Sequence, residues 1–171
     1  VKSLGASPQI LPERPAILSV VHGRDAILFG APVDSTAIAE LLEKTPLTIA
    51  YDESVREFVV QDRISGKSLA PEKDANGDFR TVYGLVTVLN NRESNHGRLG
   101  MMVFSGITSV GTHGAAEYFT SPHSLQVLRT VFAREGIHGF PAAYQVVVKC
   151  RFENMLLVSA EYCSHRVLRK E

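Results

Sequence analysis

Residues 99–117 read LGMMVFSGITSVGTHGAAE, and the order of their side chains decides the fold. Leu99 to Ser105 is an apolar run of strand length. Gly106 breaks it. A crossover follows that holds Gly106, Gly111 and Gly114 together with the hydroxyls of Thr108, Ser109 and Thr112. From Ala115 to Phe119 the residues suit the start of a helix. A strand that passes through a small-residue turn into a helix is the unit from which an α/β sheet is built.

Working outward, residues 83–89 (YGLVTVL) make a second strong strand. The stretch 90–98 between the two is wholly polar or glycine and predicts a solvated connection, or a recognition tip. Downstream, Ser121-Pro122 predicts an N-cap followed by proline at the first helical position. Leu125, Leu128, Val131 and Phe132 then form a helical stripe, and Gly136 suits the residue after its end. Residues 144–152 alternate, with Tyr144, Val146, Val148, Cys150 and Phe152 on one face and Gln145, Val147, Lys149 and Arg151 on the other. That is the period of a half-buried strand, with residues 155–163 pairing back.

Upstream, Ile17 to Val21 and Ala26 to Phe29 predict two strands around His22-Gly23-Arg24-Asp25. Gly30-Ala31-Pro32-Val33-Asp34-Ser35 then leads into a helix over 36–44, with Asp34 or Ser35 as N-cap. Residues 47–51 and 57–61 predict further strands, and 70–78 a turn-rich loop. Together these elements predict an α/β fold: a mixed sheet of seven or eight strands in two or three layers, three helices on its faces, and a C-terminal antiparallel hairpin. Pro8, Pro12 and Pro15 make residues 1–15 a linker or extended arm, and residues 16–171 a single domain.

The 171 residues carry 18 Lys and Arg against 18 Asp and Glu. A zero balance supplies no long-range field to gather nucleic acid or anionic lipid. No apolar run approaches the roughly 20 residues that cross a bilayer. The reading is therefore a cytoplasmic domain with neither membrane nor nucleic acid as direct partner, and a start at Val1 predicts a piece of a longer protein. Cys150 and Cys163 fall in the C-terminal hairpin. A turn at Glu153-Asn154 would set Cys150 against Leu157 and Cys163 against Tyr144. That is about 20 Å out of register, well beyond disulfide reach. Two free, mostly buried thiols in a reducing compartment are expected.

The glycine-rich crossover is the strongest candidate site. Glycines let backbone amides approach a ligand, and a helix N-terminus favours an anion. Gly106 and Gly111 match the spacing of a nucleotide-binding phosphate loop. Thr112 then stands where that loop needs Lys, and His113 where it needs Ser or Thr. The blander account is a tight turn whose Gly114, Ala115 and Ala116 allow close packing of helix on sheet. His113 and Glu117 share a helix face if the helix starts early enough, as an acid–base pair or an ion pair. If the strands of residues 26–29 and 99–105 are parallel, Gly30, Asp34, Ser35, Thr108, Ser109, Gly111, Thr112, His113 and Gly114 can line one crevice. No third metal ligand, hydrolase elbow or cofactor motif accompanies them, so neither metal nor cofactor is expected.

Phe29-Gly30-Ala31-Pro32, Tyr83-Gly84-Leu85-Val86, Ser105-Gly106 and Gly111-Thr112-His113-Gly114-Ala115-Ala116-Glu117 together resemble uncharacterised α/β modules. These are typically C-terminal in longer bacterial proteins, some with DNA-binding regions upstream. The resemblance covers about residues 26 to 160. It implies a ligand or partner module and carries over no catalytic residue. The leading expectation is a non-catalytic sensing or partner-binding module of a larger, regulatory protein, with an anion held by the Gly111, Thr112 and Gly114 amides and aided by the Thr108 and Ser109 hydroxyls. One alternative is a hydrolase or transferase of phosphorylated small molecules, with His113 as acid–base and Asp34 or Glu117 orienting it. Another is a protein-interaction or oligomerisation domain acting through a strand edge or the 90–98 loop.

Overall fold

The strand that opens the decisive stretch lies between a parallel and an antiparallel neighbour. The computed structural model describes residues 9–13, 17–21, 24–90, 100–154 and 156–168. In chain order the elements are α1 (Ile17–Val21), β1 (Ala26–Phe29), α2 (Thr36–Glu43), β2 (Leu47–Asp52), β3 (Glu57–Asp62), β4 (Ser68–Leu69) and β5 (Glu72–Lys73). After them come β6 (Phe79–Asn90), β7 (Gly100–Gly106), α3 (Ser109–Thr120), α4 (Pro122–Arg134), β8 (Tyr144–Glu153) and β9 (Leu156–Val167).

The main sheet is mixed and six-stranded, in the order β1-β7-β6-β8-β9, with β5 also pairing β6. Only the β1–β7 pair is parallel. A separate antiparallel sheet runs β2-β3-β4. Alternation along the central strands divides the core in two. Val82, Val86, Phe104, Val146 and Val148 face α3 and α4, packing on Ala115, Tyr118, Leu128 and Phe132. Tyr83, Leu85, Val103 and Val147 face the other way, onto Ile38 and Leu42 of α2 and Leu47, Ile49 and Val60 of the small sheet.

The α/β class, the mixed sheet and the C-terminal strand pair agree with the sequence reading. Its counts and some boundaries do not. Among the described residues there are nine strands in two sheets and four helices, against seven or eight strands in one sheet and three helices. Residues 17–21 are helical rather than a strand. A five-residue apolar run has no period with which to choose between the two. Helix α3 begins at Ser109, six residues before Ala115, so most of the glycine-rich crossover is its first turns. The 90–98 loop falls on residues outside the described set, apart from Asn90 at the end of β6.

The hairpin register also differs. Glu153 pairs with Leu156, and Asn154 turns the chain at φ 51°. Irregularities at Val147/Val148 and Arg151/Phe152 shift the pairing further, so Cys150 faces Ala160 and Cys163 sits beside the first bulge. Both cysteines are free. Cys150 is buried but Cys163 is exposed, contrary to the expectation that both are mostly buried.

Candidate functional site

The parallel pairing of β1 with β7, Phe29 opposite Phe104, brings two turns to one edge of the sheet. After β1, the Gly30 amide donates to the Phe104 carbonyl at 3.1 Å, and the chain turns at φ 148° into α2. After β7, the Ile107 amide donates to the Tyr83 carbonyl at 3.1 Å, and the chain enters α3. The two helices cover opposite faces of the sheet. Adjacent parallel strands whose helices diverge in this way mark the switch point where open α/β sheets usually bind ligands.

The α2 turn is capped twice. Ser35 is the N-cap, its hydroxyl accepting from the Ile38 amide at 3.1 Å. The Glu13 carboxylate, from the N-terminal arm, accepts from the Thr36 hydroxyl at 3.2 Å and the Ala37 amide at 3.1 Å. A hydrogen bond with Ser35 and another from the Ala37 amide hold Glu13 below the usual carboxylate range. Sequence reasoning missed this cap, because a carboxylate 23 residues from its partner leaves no local signal. Asp34 is exposed at this turn.

The α3 turn is packed tightly. Thr108 caps it, accepting from the Gly111 amide at 3.4 Å through its hydroxyl and from the Thr112 amide at 3.1 Å through its carbonyl. A Cβ on Gly106 would lie 2.1 Å from the Thr112 nitrogen, and one on Gly111 2.7 Å from the Tyr83 carbonyl oxygen. On Gly114 it would lie 2.3 Å from the Cys150 sulfur. These glycines therefore let α3 lie against β6, β7 and β8. Gly111 and Thr112 amides already have partners, and Gly114 lies against Cys150 within the helix. The expected cradle from these three amides does not form. The amides of Ser109 and Val110, at the first two helical positions, have no partner among the described residues, and Ser109 is exposed.

His113 and Glu117 do meet, Nε2 to Oε2 at 3.7 Å, on the solvent side of α3 with both side chains more than half exposed. Asp34 precedes a helix on the opposite face of the sheet, so the structure joins His113 to Glu117 but assembles no set of all three. Cys150 is fully buried, and burial pushes its thiol up to about 12.

Two buried features of the described residues carry no sequence motif. Ser105, fully buried on the face toward α2 and one residue before the glycine turn, has a hydroxyl without a hydrogen-bond partner. On β9, His165 sits between Tyr162, whose hydroxyl is 2.8 Å from Nδ1, and Glu135, whose carboxylate is 3.2 Å from Nε2. That chain ties the end of α4 to the edge strand, with the imidazole edge-on to Phe132. Comparison with known families, curated proteins and solved structures found no match.

Proposed function

We propose that this chain is a binding module, not a catalyst, and that it takes a small anionic ligand at the carboxyl ends of β1 and β7. The observation that carries this reading is the parallel β1–β7 pair with α2 and α3 departing to opposite faces. The contacts differ from those expected from the sequence. The Ser109 and Val110 amides, with the Thr108 and Ser109 hydroxyls, are the donors at α3, and Gly30 and Asp34 border the other side. The Ser105 hydroxyl, buried in β7 on the face toward α2, is unpartnered among the described residues but is not one of these donors. The exposed His113–Glu117 pair lends the enzymatic alternative no comparable support.

Ser109→Glu is the decisive variant. A carboxylate in the first turn favours α3 through the helix dipole, so folding is retained, while it repels an incoming anion. Calorimetric titration with inorganic phosphate and a panel of nucleoside mono- and diphosphates should show saturable binding to the native chain, weakened at least tenfold in Ser109→Glu. Equal affinity in the two proteins, or no binding to either, refutes the site. Gly111→Val does not serve as a test, since its Cβ alone would strike the Tyr83 carbonyl.

A further inference from the structure

A groove of about 540 Å³ runs between α2 and β2, outside the site just described in its main-chain chemistry. Its helical wall is Thr36, Ala39, Glu40 and Glu43, residues spaced to share one face of α2, and its other wall is the backbone of β2 around Ile49. Strand β2 is an edge: β3 pairs with one side of it and, among the described residues, no strand with the other. Leu47 shows which groups point to the open side. Its amide donates to Gln145 Oε1 and its carbonyl accepts from Gln145 Nε2, both at 2.8 Å and both away from β3. Outward and inward residues alternate in an antiparallel pair. The N–H and C=O groups of Ile49 and Tyr51 therefore point to the same edge, where they have no partner among the described residues; Tyr51 is 49% exposed there, and Ile49, buried overall, lines the groove.

We infer that the β2 edge takes up an extended, basic peptide segment as a fourth strand of the small sheet. Main-chain pairing supplies affinity in this mode of recognition, and flanking side chains supply selectivity. The two outward residues offer four main-chain hydrogen bonds. Gln145 and the turn before β2 close the strand off at Leu47, which sets the register. Ala39 leaves room for an incoming side chain, while the Thr36 hydroxyl is held by Glu13.

Charge selects the class of peptide. Glu40 and Glu43 stand on the helical wall, and Asp52 and Glu53 follow at the far end of β2. Arg63, the one cation of the lining, leaves it one negative charge in excess, and its donors are committed. It donates to the carbonyls of Leu42 and Thr45 at 3.2 Å each, and also to that of Glu43, closing the C-terminus of α2. Lys44 lies 3.6 Å from Glu40, but both are largely exposed and the tie is weak. A strand bearing Lys or Arg at alternate positions meets an acidic rim.

The test uses the full chain and a fluorescein-labelled octapeptide of alternating valine and lysine, followed by anisotropy. Binding is expected. It should fall at least tenfold for a valine–glutamate peptide and for a valine–lysine peptide N-methylated at alternate residues. It should fall as much in Ala39→Arg, which fills the groove from a helical position that arginine suits. Hydrogen exchange needs no variant: the Tyr51 amide should exchange freely alone, and the Ile49 and Tyr51 amides should both gain protection with peptide. Ser109→Glu should leave this binding unchanged, so failure at the β1–β7 turn and failure here are separable. No anisotropy change up to millimolar peptide, indifference to N-methylation or to Ala39→Arg, or protection confined to another strand overturns the inference. So does light scattering that shows a second copy of the chain protecting those amides without peptide.

Discussion

Gly84 and Gly111 lie where helix α3 crosses strand β6, and neither can carry a side chain. A Cβ on Gly84 would lie 2.3 Å from the Gly111 carbonyl oxygen and 2.9 Å from the Ala115 Cβ. Gly84→Ala is predicted to cost about 2–3 kcal/mol through overpacking, read from urea unfolding. Gly136, with open space around it but φ +79°, should cost only about 1–2 kcal/mol as alanine, through backbone strain alone. A smaller loss at Gly84 than at Gly136 would mean that α3 stands off the sheet. At this scale part of the design was readable. Gly114-Ala115-Ala116 signals close packing, Ser121-Pro122 the start of α4, and Gly136 its end, as found. The alternation puts Gln145 on the face of its strand that carries Lys149 and Arg151, yet it is fully buried. Val147 beside it was the hint that this face is covered too, and nothing local could say by what.

Elements with a strong period were legible, and those without one were not. Strands β6, β7 and β8 and helices α2 and α4 fall close to where apolar spacing puts them. The five residues of α1 are too few to show a period, and the early start of α3 depends on tertiary context. So does the division of the strands into two sheets, since β2 and β3 look like any other apolar runs in sequence. The hairpin register turned on two bulges that no pattern of polarity encodes. Those bulges also twist the long edge strand β9, a device that discourages further strand pairing there. For α2, the sequence left Asp34 and Ser35 as rival caps, and the structure selects Ser35. Ser35→Ala is predicted to lower stability by about 1 kcal/mol. Asp34→Ala should change it by less than half as much, and thermal denaturation of the two variants checks the order.

Across the whole molecule, side chains of the described residues fasten the small sheet to the large one at three points, one of them the Lys73–Glu57 ion pair between β5 and β3. Gln145 bridges from β8 to Leu47, with its amide nitrogen also donating to the Thr45 and Thr87 hydroxyls at 3.0 Å each. Gln145→Leu keeps the volume but strands the Leu47 amide, while the Leu47 carbonyl keeps the Thr45 hydroxyl as donor at 3.0 Å, and is predicted to cost about 2 kcal/mol in urea unfolding. A cost under 1 kcal/mol would show that Gln145 is not a fastening. The third point is Arg166 on β9, which donates to the Asp62 carboxylate at the end of β3. Burial pushes Asp62 up, but the Arg166 and Ser65 side chains and the Ile64 and Ser65 amides outweigh it and hold the carboxyl at about 2. A folded pKa below the unfolded value of 3.8 gives stability that is whole above about pH 4 and lost as pH falls toward 2. The Arg166 side chain is 37% exposed, so solvent screening reduces the contribution to about 1 kcal/mol. Asp62→Asn should flatten stability between pH 4 and 2 by that amount, with little change in pH dependence above 5. An unchanged slope would place the acid sensitivity elsewhere.

The measurement that tests the binding reading most directly is an amide chemical-shift titration of the native chain with inorganic phosphate. The account predicts saturable shifts centred on Ser109 and Val110, with smaller ones across residues 30–35, all absent in Ser109→Glu. Shifts that stay flat at those amides, or that gather on another part of the sheet, would contradict it.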